Sequence, residues 1–496
     1  AEQYVSIRAK LRAWRSRPLS ELGKVRVANM LLYSRLWYRT AIWSPTPDRG
    51  GVGGYQEVER EVAAWVFRGR QEVSAARLRD SYDQGGAQLV DVADKVRAQR
   101  VGWLLRLLAM PRDSFPRVLA GSLIGAQAGG YSGLDVLSAD LSQLKLQSQW
   151  RGTMSPGGFY REAIKAWSIL TPKITGGPGT RGDDHVFYNY QITNEAGIPL
   201  TPIPWMARRG ILRVGQLLGF SGLGLTRTQW DELVELRRRA PVLPTGNDTH
   251  FLLSTPSGEK EMGKLPFKEL YLTFRSRVEN DRHFEEKWAR ALGVDIGGDW
   301  KEVWKRVHGT HCSLRVRSHV WKQLNLNFWT PYMDFAYIAR GDGSCLLCGQ
   351  GARERWHVVV ECEVVCKLWE RLGGVVGVWG GPAVGRVEMA LGKEGGDPGT
   401  ALRNRLGFTL RSTVHRMRGV RVGGVQETVD RLWSLFLGFL RKELVEEWYT
   451  AKLEGNVMLF ASRVLVDGVV GTMEGGAITW GPLFDGVGYR YWDLFD

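Results

Sequence analysis

The chain has 496 residues, 44% of them hydrophobic and 11% aromatic, with 21 Trp; this is apolar mass for roughly two to four domains and excludes a fully disordered polymer. A formal charge of +15 favours an anionic partner, nucleic acid first, because each phosphate neutralised by a cation releases condensed counterions. No run approaches ~18 consecutive apolar residues, so a membrane span is not expected, and Ala1-Glu2-Gln3-Tyr4 offers neither an initiator Met nor a basic-then-apolar leader, so the sequence reads as an interior or processed piece of a longer protein.

In chain order, Ile7, Leu11 and Trp14 recur at helical spacing and predict a first helix over Tyr4–Trp14. Pro18 and Gly23 bracket a turn, and a second helix is expected from Lys24 to Trp43, stopped by Pro45 and Pro47. After the glycine run at 50–54, a third covers Tyr55–Phe67. Gly85-Gly86 precedes a fourth, Val92–Leu108, with Val96, Val101, Leu104 and Leu108 inward. Glycine-rich stretches at 129–133 and 176–182 read as loops. Thr226 or Thr228 is placed to cap a helix over Trp230–Arg239, and the polar stretch that follows, to about Lys264, reads as a linker. Residues 266–340 are helical and aromatic. Gly373–Gly399 reads as a flexible connection, and two amphipathic helices follow, Ala401–Met417 and Gln426–Tyr449. Short strands are expected in the tail. Cys312 reads as a buried apolar side chain.

The strongest chemical signal is Cys345-x2-Cys348-x8-His357-x4-Cys362. Two thiolates on a tight turn, an imidazole and a third thiolate make a closed tetrahedral shell, the donor set of a structural rather than catalytic Zn2+. Cys366 lies one helical turn beyond Cys362 and is the competing fourth ligand. Four cysteines within twenty-two residues of a long chain favour metal over disulfides.

These residues carry a resemblance. Cys345-Leu346-Leu347-Cys348-Gly349, Trp356-His357, Glu361-Cys362 and Leu368-Trp369 resemble the zinc-binding region of LINE-type (non-LTR) retrotransposon reverse transcriptases. Arg315 to Lys322 and Trp329-Thr330 resemble the helical segment that leads into it. Upstream, Leu11–Trp14, Leu19–Arg26 and Tyr38 resemble the junction of palm and thumb, and Gly85-Gly86 with Leu89–Val92 and Trp103-Leu104 resembles the next block. Gly210–Leu212 with Val214 and Leu217-Leu218 resembles the connector. The resemblance implies a thumb-like region (1–120), a connector (121–265), a helical segment with a CCHC zinc knuckle (266–372) and a C-terminal helical region (373–496). The expected fold class is mainly α, several helical modules with a small zinc knuckle and minor β near the C-terminus. The implied partners are the element's RNA and its DNA target, with an N-terminal polymerase part elsewhere, in an intracellular ribonucleoprotein of nucleus and cytoplasm.

The chemistry of such a parent is not in this chain. A polymerase needs carboxylates on apolar strands to hold two metal ions. The one tempting pair, Asp183-Asp184, follows a glycine-rich loop. Residues 373–496 hold no Pro-Asp pair of a restriction-like nuclease, and Lys393–Pro398 lies in a glycine-rich stretch. The expected role is therefore to bind and position RNA and DNA, not to polymerise. The competing readings are a domesticated host protein that uses the knuckle for protein contact, and RNA-directed DNA polymerase activity belonging to the parent. Candidate phosphate contacts are Lys10, Arg12, Arg15, Arg17, Lys24, Arg26 and Arg35 near the start, Lys305, Arg306, Arg315, Arg317 and Lys322 in a second zone with Trp304, Trp321, Trp329 and Tyr332, and Arg411, His415 and Arg418 beyond it.

Overall fold

The computed structural model describes residues 2–41, 54–67, 73–111, 113–127, 156–175, 200–239, 250–277, 283–294, 299–309, 312–325, 343–351, 356–377, 384–417, 423–474 and 477–484, with 134, 137, 186, 187, 192 and 296 singly. The loops expected at 129–133 and 176–182, Asp183-Asp184, Trp329, Tyr332 and Arg418 lie outside them.

The molecule is mainly α-helical, as the periodicity predicts. Helix α1 (Glu2–Arg15) buries Ile7 and Leu11. The expected second helix is divided. Ser20 accepts from the Gly23 N–H and caps α2 (Glu21–Val27), a widened π-type turn follows at Ala28–Leu32, and α3 spans Ser34–Thr40. Helices α4 (Gly54–Val66), α5 (Ala75–Arg79), α6 (Val92–Ala109) and α7 (Phe115–Gln127) come next. The chain forms two compact units, each discontinuous in sequence.

Unit 1 takes residues 1–11, 30–61 and 90–279. Its core is α6, capped by Asp91, packed on α7, on α8 (Pro156–Leu170) and on a later helix, Phe267–Arg275. Ala98, Val101, Leu104 and Leu107 of α6 meet Ile124, Ala163, Trp167, Leu270 and Phe274, all buried. Trp167 donates its indole N–H to the Leu137 carbonyl at 3.0 Å and stands edge-on to Phe251, so the largest apolar side chain here also has its polar atom satisfied. A second cluster, with Met206, Val214, Leu217, Leu233 and Leu236, joins α9 (Pro204–Arg208), α10 (Val214–Gly219) and α11 (Arg227–Arg239). Thr226 is the capping residue: its hydroxyl accepts from the Gln229 N–H while the Gln229 amide oxygen accepts from the Thr226 N–H. The stretch expected to be a linker instead holds a hairpin. Strands β2 (His250–Thr255) and β3 (Gly258–Glu261) pair antiparallel, and β1 (Lys173–Thr175) flanks β2 with Lys173 opposite Leu252. The composition is polar because β3 is almost wholly exposed; Leu253 and the following Met262 supply the apolar anchor.

Unit 2 takes residues 12–29, 62–89 and 280–496. After the Phe267–Arg275 helix, α12, come α13 (His283–Leu292), α14 (Trp300–Gly309), α15 (Leu314–Leu324), α16 (Glu363–Gly377), α17 (Arg386–Leu391), α18 (Pro398–Met417), α19 (Val425–Leu453) and α20 (Val457–Val464). Helix α15 packs on α2 and α18, and α18 lies against α19 and α20. The connection expected to be flexible holds the end of α16, all of α17 and the start of α18. Asp397 caps α18 by accepting from the Thr400 N–H at 2.8 Å. Gly85 shows why the Gly85-Gly86 pair is needed: at φ 83° a Cβ there would sit 2.6 Å from the Trp304 indole, and its carbonyl accepts from Trp321 at 2.8 Å. The expected minor β is the hairpin β4 (Gly471–Glu474) and β5 (Ala477–Trp480). Among the described residues no helix is long and apolar enough to cross a membrane.

Candidate metal centre and basic surface

The four expected ligands converge. One donor atom from each of Cys345, Cys348, His357 and Cys362 lies within 4.8 Å of the others, and all four residues are buried. The first two sit on a tight turn. The Gly349 N–H donates to the Cys345 carbonyl at 2.8 Å, the Cys345 N–H donates to the Gln350 carbonyl at 2.6 Å, and Ser344 bridges to Gly351. Gly343 and Gly349 adopt φ of 75° and 77°, which a side chain would resist. Backbone amides turn inward to the sulfurs: the Leu347 N–H approaches Cys345 Sγ at 3.5 Å and the Gln350 N–H approaches Cys348 Sγ at 3.4 Å.

The other two ligands are brought together by a π-type turn over His357–Glu361, closed by the Cys362 N–H on the His357 carbonyl at 2.7 Å. The wider i→i+5 turn brings position 362 back nearer to 357, whereas an α-helix of 3.6 residues per turn would leave it about 140° round the axis. Cys362 then starts α16, receiving the Cys366 N–H at 2.8 Å. Cys366 itself points its thiol at the Val360 carbonyl, 3.7 Å away, and is not in the cluster.

Cys345 Sγ and Cys362 Sγ are 3.9 Å apart, and Cys348 Sγ lies 3.5 Å from His357 Nε2. A tetrahedral ion bound at about 2.3 Å to sulfur and about 2.0–2.1 Å to nitrogen separates its ligands by about 3.8 Å (S to S) and about 3.5 Å (S to N). The donor set therefore fits a metal ion. Hydrogen bonds to Cys345 from the Cys362 thiol, from His357 and from backbone amides outweigh burial and hold Cys345 down at about 3, while the same Cys362 contact and burial push Cys362 up. Burial also raises Cys348. On the far side of the imidazole, His357 Nδ1 faces Glu361 Oε2 at 3.8 Å, and the other Glu361 oxygen accepts from the Trp356 indole at 3.1 Å. Across 3.8 Å the carboxylate acts on the ring through its charge and not through a hydrogen bond.

The expected phosphate contacts divide by burial. Arg12, Arg15, Arg17, Arg26, Arg35, Lys305 and Arg315 are exposed and Lys10 is half-buried. Lys305 pairs with Glu302 at 2.6 Å, and Arg35 donates to Ser6 at 2.5 Å. Five others are turned inward. Lys24 is buried, donating to the Trp65 and Val66 carbonyls with its charge over the Trp65 ring. Lys322 is buried against Glu21 at 2.9 Å. Arg411 is buried, donating to Gln323 and to the Ala390 carbonyl. Arg317 donates to the His308 carbonyl, and Arg306 lies between Gly392 and Glu394. Trp304 and Trp321 are fully buried, so bases cannot stack on them. An amphipathic pattern cannot separate a solvated cation from one whose stem packs on a neighbour and whose head meets carbonyls. The reverse omission is Arg416, exposed beside His415 on α18 and stacked 3.9 Å from the Phe439 ring. Cys312 is buried as expected, its thiol pushed up to about 12 by burial.

No protein-family profile matches the chain. Over 243 residues, 48% of the chain, it is 22% identical to the "Transposon TX1 uncharacterized 149 kDa protein" of Xenopus laevis, of which it spans 17%. The chain is thus a helical protein with a Cys3His cluster able to hold a metal ion, and its similarity supports a transposon-related origin.

Proposed function

We propose that this chain is the nucleic-acid-binding, non-catalytic C-terminal portion of a LINE-type retrotransposon reverse transcriptase, which positions template RNA and target DNA for target-primed reverse transcription. The observation that carries the reading is the closed Cys3His cluster, in the spacing of the resemblance and inside a chain similar to a transposon protein. The ion is zinc: three sulfurs and one imidazole within 4.8 Å suit its tetrahedral preference, and with no carboxylate ligand and no open position the site is structural. Cys345, Cys348, His357 and Cys362 hold it, with the Glu361 carboxylate behind His357. When bound, it ties the knuckle to the start of α16. The exposed arginines of α1, α2 and α15 and the charge of +15 supply phosphate contacts.

Filter binding of the purified chain to RNA and DNA across a salt series tests the reading. The expected result is binding at low salt with an affinity that falls linearly in log–log form, about 0.9 per phosphate contact on duplex DNA, together with one zinc per chain and no primer extension. Absence of affinity for either nucleic acid at low salt overturns it and favours a protein-contact role for the knuckle.

A further inference from the structure

At one corner of unit 2, α15 and α18 cross so that His319 and His415 face each other with ring centroids 5.0 Å apart. His319 Nδ1 is 2.7 Å from the Ser412 hydroxyl, which fixes the pair. One turn before His319 on its own helix stands Arg315, and next to His415 stands Arg416; both are exposed. The two charges act on each other across this crossing: burial first, and then the Arg315 charge, lower Arg416.

Two carboxylates act on this corner. Glu21 pairs with Lys322 and accepts from Ser318, and Glu443 accepts from the Ser313 hydroxyl at 2.5 Å while its charge acts on both Arg405 and Arg416. Among the described residues neither Arg315 nor Arg416 has an ion pair, unlike the exposed Arg238, which Glu235 neutralises at 2.8 Å. Burial, and then Lys322, Arg416 and Arg315, hold His319 at about 4, so at pH 7 the ring is a neutral wall. Arg416 is braced by the Phe439 face, which lowers the entropy that a guanidinium loses on gripping an anion.

We propose that Arg315 and Arg416, framed by the His319–His415 pair, form a clamp for one phosphodiester group of a bound nucleic-acid backbone. Two like charges held together across a helix crossing repel in the free protein, and an anion between them removes that cost. Two planar, always-charged forks suit the non-bridging oxygens of a phosphate. The inference rests on the nucleic-acid reading above and adds to it a defined site with a residue, Arg416, that periodicity did not single out.

The test is fluorescence anisotropy on the full zinc-loaded chain with a labelled 30-mer DNA duplex and an RNA duplex of the same sequence. The proteins are wild type, R315Q/R416Q, R315K/R416K and R238Q. Zinc content and far-UV dichroism verify the fold; both arginines are exposed, so the substitutions leave the core intact. The expected result is a loss of about tenfold or more for R315Q/R416Q, with a salt dependence shallower by about 1, a retained slope for the lysine variant and no change for R238Q. Loss on both duplexes supports a clamp on the shared backbone, and loss on one supports it and names the source. Wild-type binding with R315Q/R416Q unchanged in affinity and slope overturns the clamp and leaves the proposed function standing. Failure of wild type itself to bind either duplex overturns both.

Discussion

Glu21 and Lys322 meet at 2.9 Å with side chains 21% and 10% exposed, and the Ser318 hydroxyl donates to the other Glu21 oxygen at 2.6 Å. Burial raises the Glu21 carboxyl, but the Lys322 charge and the two hydrogen bonds outweigh it and hold the group at about 2, against 4.5 ordinarily. A carboxyl lowered on folding contributes stability that is complete above the unfolded value and is lost as pH falls from about 4.5 towards 2. Lys322→Ala strands a buried carboxylate, so it should cost about 2–4 kcal/mol at pH 7. It should also flatten the loss of stability between pH 5 and 2, because Glu21 then no longer titrates below its unfolded value. Urea unfolding of wild type and variant at a series of pH values measures both effects; equal midpoints at pH 7 would show the pair to be energetically idle. Nothing in the residue pattern disclosed this pair, because its members are 301 positions apart.

The π-type turn from His357 to Glu361 is the element on which the metal centre depends. Removing Val358 shortens it to four residues and rotates everything after it by about 100° relative to His357. Cys362 would then leave the cluster. Zinc bound per chain, read by a chromophoric chelator, should fall from one to near zero at micromolar protein, whereas Val358→Ala should retain it. Full occupancy in the deletion variant would mean that Cys366, or another donor, substitutes freely. The ligands were legible in sequence because donor chemistry and spacing suffice to identify them. The turn that unites them was not, because five-residue turns have no residue signature. Helix α6 was legible for the opposite reason: Asp91 caps it and Val96, Val101 and Leu104 mark one face throughout. The break at Ala28–Leu32 was hidden because ANMLL is an ordinary helical sequence. The hairpin at 250–261 was hidden because β3 is exposed and carries no apolar residue, its anchors being Leu253 on β2 and Met262 just after β3. Among the cations, Lys24, Lys322 and Arg411 were misread since their partners lie on elements distant in sequence.

At the scale of the molecule, each unit has its own core and only unit 2 contains the metal ligands. Zinc-finger peptides draw on the order of 10 kcal/mol from their metal, and the turn over 343–351, whose buried apolar side chain besides the cysteines is Leu347, depends on that supply. Stripping zinc with a strong chelator should therefore raise hydrogen exchange across 343–351 by orders of magnitude. Protection in α6, α8 and α12, which share the apolar cluster around Trp167, should persist. Uniform loss of protection in both regions would mean that the metal supports the entire fold; unchanged exchange at 343–351 would mean that it supports nothing.

The discontinuity of unit 2 has a consequence for synthesis on the ribosome. Glu21 emerges 301 residues before the lysine it needs, a wait of about 15–60 s at ordinary translation speeds. In that interval α2 and the Gly85 turn offer apolar faces to the cytosol with nothing yet made to cover them. The knuckle has no such delay, since its outermost ligands are 17 positions apart and close within a single exit-tunnel length of chain. Nascent-chain chaperones should therefore linger on α2 and the Gly85 turn and let the cysteines pass.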